Sequence, residues 1–299
     1  MPDLSIAIPT YNRKNELKNL LCSIEEIINL SVEVVIVDDG SDDGTKDYVN
    51  TLSLRNKQIV YEYQKNQGRS FALHKAVKLC SGTYTMIMDS DDLVIPLAVE
   101  NVLNNCLKNS DNEIVGAFCL TQTMNKKLIG KMYKEDHAIS SYIKQFLEGN
   151  IIGDKKEIIK TNVLKHCLYK PIYGEKRMPT SSIWINLPKK ENLIFLNVVI
   201  ASKDYQEGGM SKNINTIRIK SPISSFMFYL DLANKTSIFR YPLKYIKSAV
   251  LFWRFKFHAK DDLKHLELIK NKRIPSKLFL VFGYLLSSWD KVLYRHERN

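Results

Sequence analysis

Four short apolar runs, residues 4–9, 32–37, 59–63 and 84–88, alternate with stretches whose apolar residues recur every three or four positions. This alternation constrains the fold more than any other feature of the chain. In residues 15–28 the spacing of Leu17, Leu20, Leu21, Ile24 and Ile28 predicts one apolar helix face. Residues 45–52 and 70–80 read as further helices. Pro96 opens another, running to about residue 109, because proline suits the first turn of a helix. The β-branched run 32–37 is bounded by turn residues, the pattern of a strand buried on both faces. Strands alternating with helices give a mainly parallel sheet flanked by helices, so the expected class is α/β.

The rhythm loosens after residue 109. Residues 113–121 read as a strand, Asn125-Lys126-Lys127 as a turn into 128–132, and the rest to about 210 as short helices and loops. Beyond Ser211 the chain looks helical, basic and aromatic, so a domain of residues 1–211 and a C-terminal extension of 212–299 are expected. Charge divides the same way. Residues 1–100 hold 10 Lys/Arg against 15 Asp/Glu, residues 212–299 hold 18 against 6, and the whole chain carries +12. A basic tail points to an anionic partner, nucleic acid or a membrane surface. The five scattered cysteines lack metal-ligand spacing and read as reduced thiols. No signal peptide is read at the N-terminus, and the apolar run 278–286 is too short to cross a bilayer, so a cytoplasmic protein is expected.

Chemistry concentrates where the strands end. Asp89-Ser90-Asp91-Asp92 directly follows the fourth strand, at the edge where open α/β sheets bind ligands. Clustered carboxylates repel unless a cation or donors neutralise them, and hard oxygen ligands suit Mg²⁺ or Mn²⁺. The plainer alternative is an acidic cap for the helix near Pro96. Three more polar turns weigh against it: Pro9-Thr10-Tyr11-Asn12-Arg13 after the first strand, Asp38-Asp39-Gly40-Ser41 after the second, and Asn66-Gln67-Gly68-Arg69 after the third. Four such turns delivered to one rim favour a nucleotide pocket.

As a set over residues 4–100, in order and with suitable spacing, these motifs resemble the family 2 glycosyltransferases of the GT-A fold, of the bacterial cell-surface polysaccharide type. The resemblance implies a UDP- or dTDP-sugar donor, a divalent metal (Mg²⁺ or Mn²⁺) and inversion at the anomeric carbon. Carried over by position, Thr10, Tyr11 and Asp39 contact the base and ribose, and Asp89 approaches the ribose or sugar. Asp91 binds the metal. Pro9, Arg13, Asn66, Gly68, Arg69 and Ser90 belong to the same donor pocket. His74-Lys75-Ala76 departs from the Asn-x-Gly that relatives often carry.

Relatives place a catalytic carboxylate four residues before a tryptophan. The segment ending at Trp184 resembles that region, but the equivalent position is Thr180, so Glu175 is the candidate base, with Asp204 and Glu207 in reserve. Gln206-Glu207-Gly208-Gly209-Met210-Ser211 resembles a loop bordering the acceptor or metal site. In the tail, Leu243, Ile246, Val250, Trp253 and Phe257 predict one packed helix face. Residues 278–289 are apolar nearly all round, with Lys270, Lys272, Arg273 and Lys277 before them and Lys291 and Arg295 after. That pattern suits a helix lying in a membrane interface. No nucleic-acid-binding signature accompanies the basic tail, so a peripheral position on the inner face of the cell membrane is expected, with a glycan or lipid-linked acceptor. A non-catalytic nucleotide-sugar-binding partner is the alternative that Thr180 suggests. An NAD-dependent oxidoreductase is disfavoured because no Gly-x-Gly-x-x-Gly follows the first strand. A nucleotidyltransferase is disfavoured by the lack of a basic, Gly-rich triphosphate loop.

Overall fold

The structure is a computed structural model and describes residues 1–52, 57–110, 113–175, 177–188, 192–204, 214–259, 269–270 and 272–293. Strands β1 (Leu4–Thr10), β2 (Val32–Asp38), β3 (Lys57–Tyr63) and β4 (Tyr84–Ile87) pair in parallel, in the order β3-β2-β1-β4. Helices α1 (Lys14–Glu25), α2 (Thr45–Asn50) and α3 (Arg69–Leu79) lie in the connections. Every residue of β1 and β2 is buried, which is why their sequences read as continuous rather than alternating apolar runs.

The sheet continues through β5 (Asp92–Val94), β6 (Ile114–Thr123), β7 (Ala138–Ser140), β8 (Lys155–Lys160) and β9 (Asn192–Lys203). Its order is β3-β2-β1-β4-β8-β6-β9-β5, with β7 also on β9. β8 runs antiparallel between β4 and β6, and β5 and β7 run antiparallel to β9, so the sheet is parallel in its first half and mixed in its second. α4 (Pro96–Asn101) follows β5 and passes into a π-helical stretch, Val102–Leu107. α5 (Tyr142–Glu148) and α6 (Thr161–Cys167) flank β8 in sequence.

Several expectations are corrected. α1 stops at Glu25 instead of running to Ile28, which is 77% exposed, while Ile27 takes the buried place. The buried Glu100 carboxylate accepts from the amides of Ile28 and Asn29, at 2.7 and 2.9 Å, and turns the chain there. After the turn at 125–127, Leu128 bridges back to Gln122. β8 and β9, read as loops and short helices, are interior strands. The 192–203 run held a signal for this in its apolar, β-branched residues 193–201.

The chain divides into two compact units, Met1–Lys170 with Leu187–Gln206, and Pro171–Asn186 with Glu207–Asn299. The boundary expected near residue 211 therefore misses an excursion. α7 (Ser181–Ile185) belongs to the second unit, where it packs on α9 (Pro222–Lys235) and buries Ile183, Trp184 and Ile185. The second unit also holds α8 (Ile214–Lys220), α10 (Pro242–His258) and α11 (Leu280–Leu293). In α10 the buried residues are Ser248, Ala249, Phe252, Trp253 and Phe255. Of the predicted stripe only Trp253 is among them, and Leu243 is 81% exposed.

Candidate active site

The four turns meet, each bonded to the next. Asp39 donates its amide to the Thr10 carbonyl at 2.9 Å, continuing the parallel pairing of β1 with β2 past the strand end. The Asn12 side chain accepts from the Asp42 amide and the Asn12 amide donates to Ser41 Oγ, both at 2.9 Å, which joins the first turn to the second. The Asp39 carboxylate then gathers the third turn, accepting from Gln64 Nε2 (2.7 Å), the Gln67 amide (2.9 Å) and the Gly68 amide (2.8 Å). Gly40 has φ +88°, and a Cβ there would lie 2.9 Å from the Asn66 amide nitrogen, so only glycine lets these turns close. Finally Arg69 Nε donates to Asp89 Oδ1 at 2.8 Å, and the guanidinium pairs with the same carboxylate through Nη2.

Thr10, Asp39, Asp89 and Asp91 thus converge on one rim. Pro9 and Thr10 are buried, whereas Tyr11 is half exposed and Asn66 exposed. Thr10 Oγ1 is buried without a hydrogen-bond partner, a costly state. Asp39 spends three of its roughly four lone-pair sites on the third turn, leaving one. Asp38 is internal, accepting from Ser41 N and Tyr61 Oη at 2.8 Å each.

The acidic cluster is not a helix cap. The N-cap of α4 is Ile95, and no side chain caps it. Each carboxylate has its own environment. Ser90 and Asp92 are buried, Asp92 pairing with Lys156 Nζ at 2.9 Å and lying 3.7 Å from Lys203 Nζ. Asp91 is partly exposed and ion-paired with Arg13. Burial disfavours charge on Asp89, but the Arg69 guanidinium, with Lys156 and Lys203 behind it, outweighs burial and holds the carboxyl well below the usual range. Burial likewise works against the Lys203 ammonium, and Asp92, Asp154 and Asp89 more than compensate, raising its pKa.

Among the described residues no three His, Cys, Asp or Glu side chains could hold an ion by themselves. The donor set still fits Mg²⁺ or Mn²⁺ of the kind held by one carboxylate together with substrate phosphates, and Asp89 and Asp91 are both partly exposed, each on an arginine.

Lys156 and Lys203 were missed in the sequence, where Lys155-Lys156-Glu157 looks like a solvated run. Lys156 is a buried counter-ion on β8, and Lys156→Met strands the Asp92 charge. A loss of roughly 3–5 kcal/mol is expected in urea denaturation. A loss under about 1 kcal/mol would mean that Lys203 alone neutralises Asp92.

Glu175, the expected base, does different work. It is 6% exposed, and its two oxygens accept from the Ile223 and Ser224 amides at 2.5 and 2.7 Å, capping the first turn of α9. A base must reach the acceptor proton, and this carboxylate is committed to the helix end. Of the reserves, Glu207 and the Gly208-Gly209 loop lie outside the described residues. Asp204 is exposed at the end of β9. It follows Lys203, which pairs with Asp92 across antiparallel β5 and β9, and Asp91 is the residue before Asp92 in sequence.

Residues 5–167, more than half the chain, match the family described as Glycosyl transferase family 2. The chain is a family 2 glycosyltransferase. This glycosyltransferase is 26% identical over 243 residues to the GalNAc(5)-diNAcBac-PP-undecaprenol beta-1,3-glucosyltransferase of Campylobacter jejuni, covering 78% of this chain and 74% of that one. It spans only 36% of the length of some other curated relatives it matches. In fold it is similar to S. aureus TarS 1–349 in complex with UDP-GlcNAc (TM-score 0.58, 18% identity, 94% of this chain and 79% of that). It is also similar to the mannosyltransferase PcManGT of Pyrobaculum calidifontis in complex with GDP-Man and Mn²⁺ (TM-score 0.55, 16% identity, 97% and 88%). The GT-A architecture expected from the motifs is the architecture found.

Proposed function

We propose that this glycosyltransferase moves a sugar, with inversion, from a UDP- or dTDP-sugar to a hydroxyl of a glycan or lipid-linked acceptor, assisted by Mg²⁺ or Mn²⁺. The observation that carries the reading is the rim itself, four strand-end turns bonded in series from Thr10 to Asp89 and closed by Arg13 on Asp91. Thr10, Tyr11 and the remaining lone pair of Asp39 take the base and ribose, with Pro9, Asn66 and Gly68 shaping the walls. Asp89, held by Arg69, meets the ribose or sugar beside Ser90. A divalent ion on Asp91 supplies charge stabilisation for the departing diphosphate. Arg13 stands beside it as a second cation. An acceptor hydroxyl must lose its proton as it attacks, and an Asp204 carboxylate oxygen receives it.

The Campylobacter jejuni relative is named for a glycan carried on PP-undecaprenol, which supports a lipid-linked acceptor here. Such an acceptor places the enzyme peripherally on the inner face of the cell membrane, with the basic C-terminal region toward it. No helix among the described residues is long and apolar enough to cross a membrane.

The test is a thermal-shift screen of nucleotide sugars with and without Mn²⁺. At a hundredfold excess over Kd, binding stabilises by about 2.7 kcal/mol, a shift of several degrees. The reading expects this from UDP- or dTDP-sugars and only with metal. Shifts from GDP-sugars alone would overturn the donor assignment, and metal-independent shifts the cation.

A further inference from the structure

Helix α11 is built inside out. Its buried residues are Gly283, Ser287 and Asp290, while Val281, Leu285, Trp289 and Val292 point outward, between 59 and 70% exposed. A surface helix that faces water has the reverse arrangement. The inward side is a specific fit to α10. A Cβ on Gly283 would lie 2.4 Å from Trp253 Cβ, so glycine is what admits so close an approach. About two turns further on, the buried Asp290 accepts from Arg254 Nε and Nη2 at 2.7 and 2.5 Å and lies 2.9 Å from His258 Nε2. These contacts fix the rotation of α11 about its axis and commit its apolar side to the outside.

The occupant of that side is marked by charge. Phe239, in the turn before α10, and Leu243, in its first turn, are exposed apolar residues close in sequence to Lys244 and Lys247, and Lys277 and Lys291 flank α11. A second copy of this chain would bring the same basic excess to the contact and be repelled. An anionic lipid surface is attracted. Fourteen residues of helix span about 21 Å, suited to lying along the interface and not to crossing it.

We propose that the outward face of α11 binds an anionic bilayer surface, with Val281, Leu285 and Trp289 among the acyl chains and Lys277 and Lys291 at the headgroup phosphates. The inference deepens the membrane setting proposed above and rests on it.

The experiment uses the full chain and phosphatidylcholine vesicles, with and without phosphatidylglycerol, containing brominated lipid. Trp184 and Trp253 are buried, so quenching reports Trp289. Quenching with phosphatidylglycerol is expected; it should weaken with salt and vanish in Trp289→Phe. Leu285→Glu, at a 59% exposed position, should keep its melting temperature and lower vesicle affinity by about tenfold or more. Absence of quenching, or equal quenching without phosphatidylglycerol, would overturn the proposal. So would a wild-type dimer that Leu285→Glu converts to monomer, which would give the face to a second copy. Nucleotide-sugar thermal shifts on the same preparation tell a failure here from a failure of the donor reading.

Discussion

Asp91→Ala is expected to abolish metal-dependent nucleoside-diphosphate binding and to cut sugar transfer by at least about 10²–10³-fold, the scale of losing one preorganised charge-stabilising contact. The fold should survive. Asp91 meets Arg13 where both are partly open to water, 23 and 41% exposed, and an exposed ion pair of this type contributes ~0–1 kcal/mol. Isothermal titration of nucleoside diphosphate with and without Mn²⁺, beside a melting curve, separates the two effects. Retained Mn²⁺-dependent binding in the variant would remove Asp91 from the cation site. A melting point lowered by many degrees would show instead that the Arg13 pair holds the rim together.

Asp204→Asn is the second large effect, with turnover falling by about 10²–10⁴-fold, the range for loss of a general base. Nucleotide-sugar binding should be unchanged, because asparagine keeps the size and loses only the proton acceptor. Metal-dependent binding decides between two roles for this carboxylate. Its loss along with turnover would make Asp204 a second metal ligand beside Asp91, not a base. Glu175 gives the contrasting result. Glu175→Ala frees two buried amides at the start of α9, at a cost of about 1–3 kcal/mol in stability, while turnover per folded molecule stays within a fewfold of wild type. A stable but inactive Glu175 variant would return the base to that position.

What the sequence made legible was local. Strands β1, β2 and β4 are buried on both faces, so their apolar runs announce them, and the turns after the first four strands carry their chemistry in consecutive residues. β8 was illegible because its charged residues are spent inside the protein. Lys156 neutralises Asp92, and Lys155 donates to the carbonyls of Lys131 and Ile152. β5 has three residues, too few for any period to register. The pairings that organise the site, Arg13 with Asp91 and Arg69 with Asp89, join positions 78 and 20 residues apart. The capping bonds of Glu175 span 48 and 49 residues, so nothing local in its loop disclosed them. In α10 the apolar spacing was read correctly as helical, but the side that packs was misassigned, because Ser248 and Ala249 accept a neighbour as readily as larger residues do.

The excursion of residues 171–186 makes the two units inseparable by a single cut. The chain leaves the first unit at Lys170, returns at Leu187 and leaves again after Gln206. A fragment ending near residue 211 would keep α7 but discard α9, exposing Ile183 and Trp184 and leaving Glu175 with no helix to cap. A fragment beginning near 212 would keep α9 and lack the carboxylate at its first turn. Grafting the C-terminal region onto another transferase, or exchanging catalytic halves between relatives, therefore requires moving the short inner segment as well. Recombination at one junction there leaves α7 on one chain and the α9 it packs against on the other.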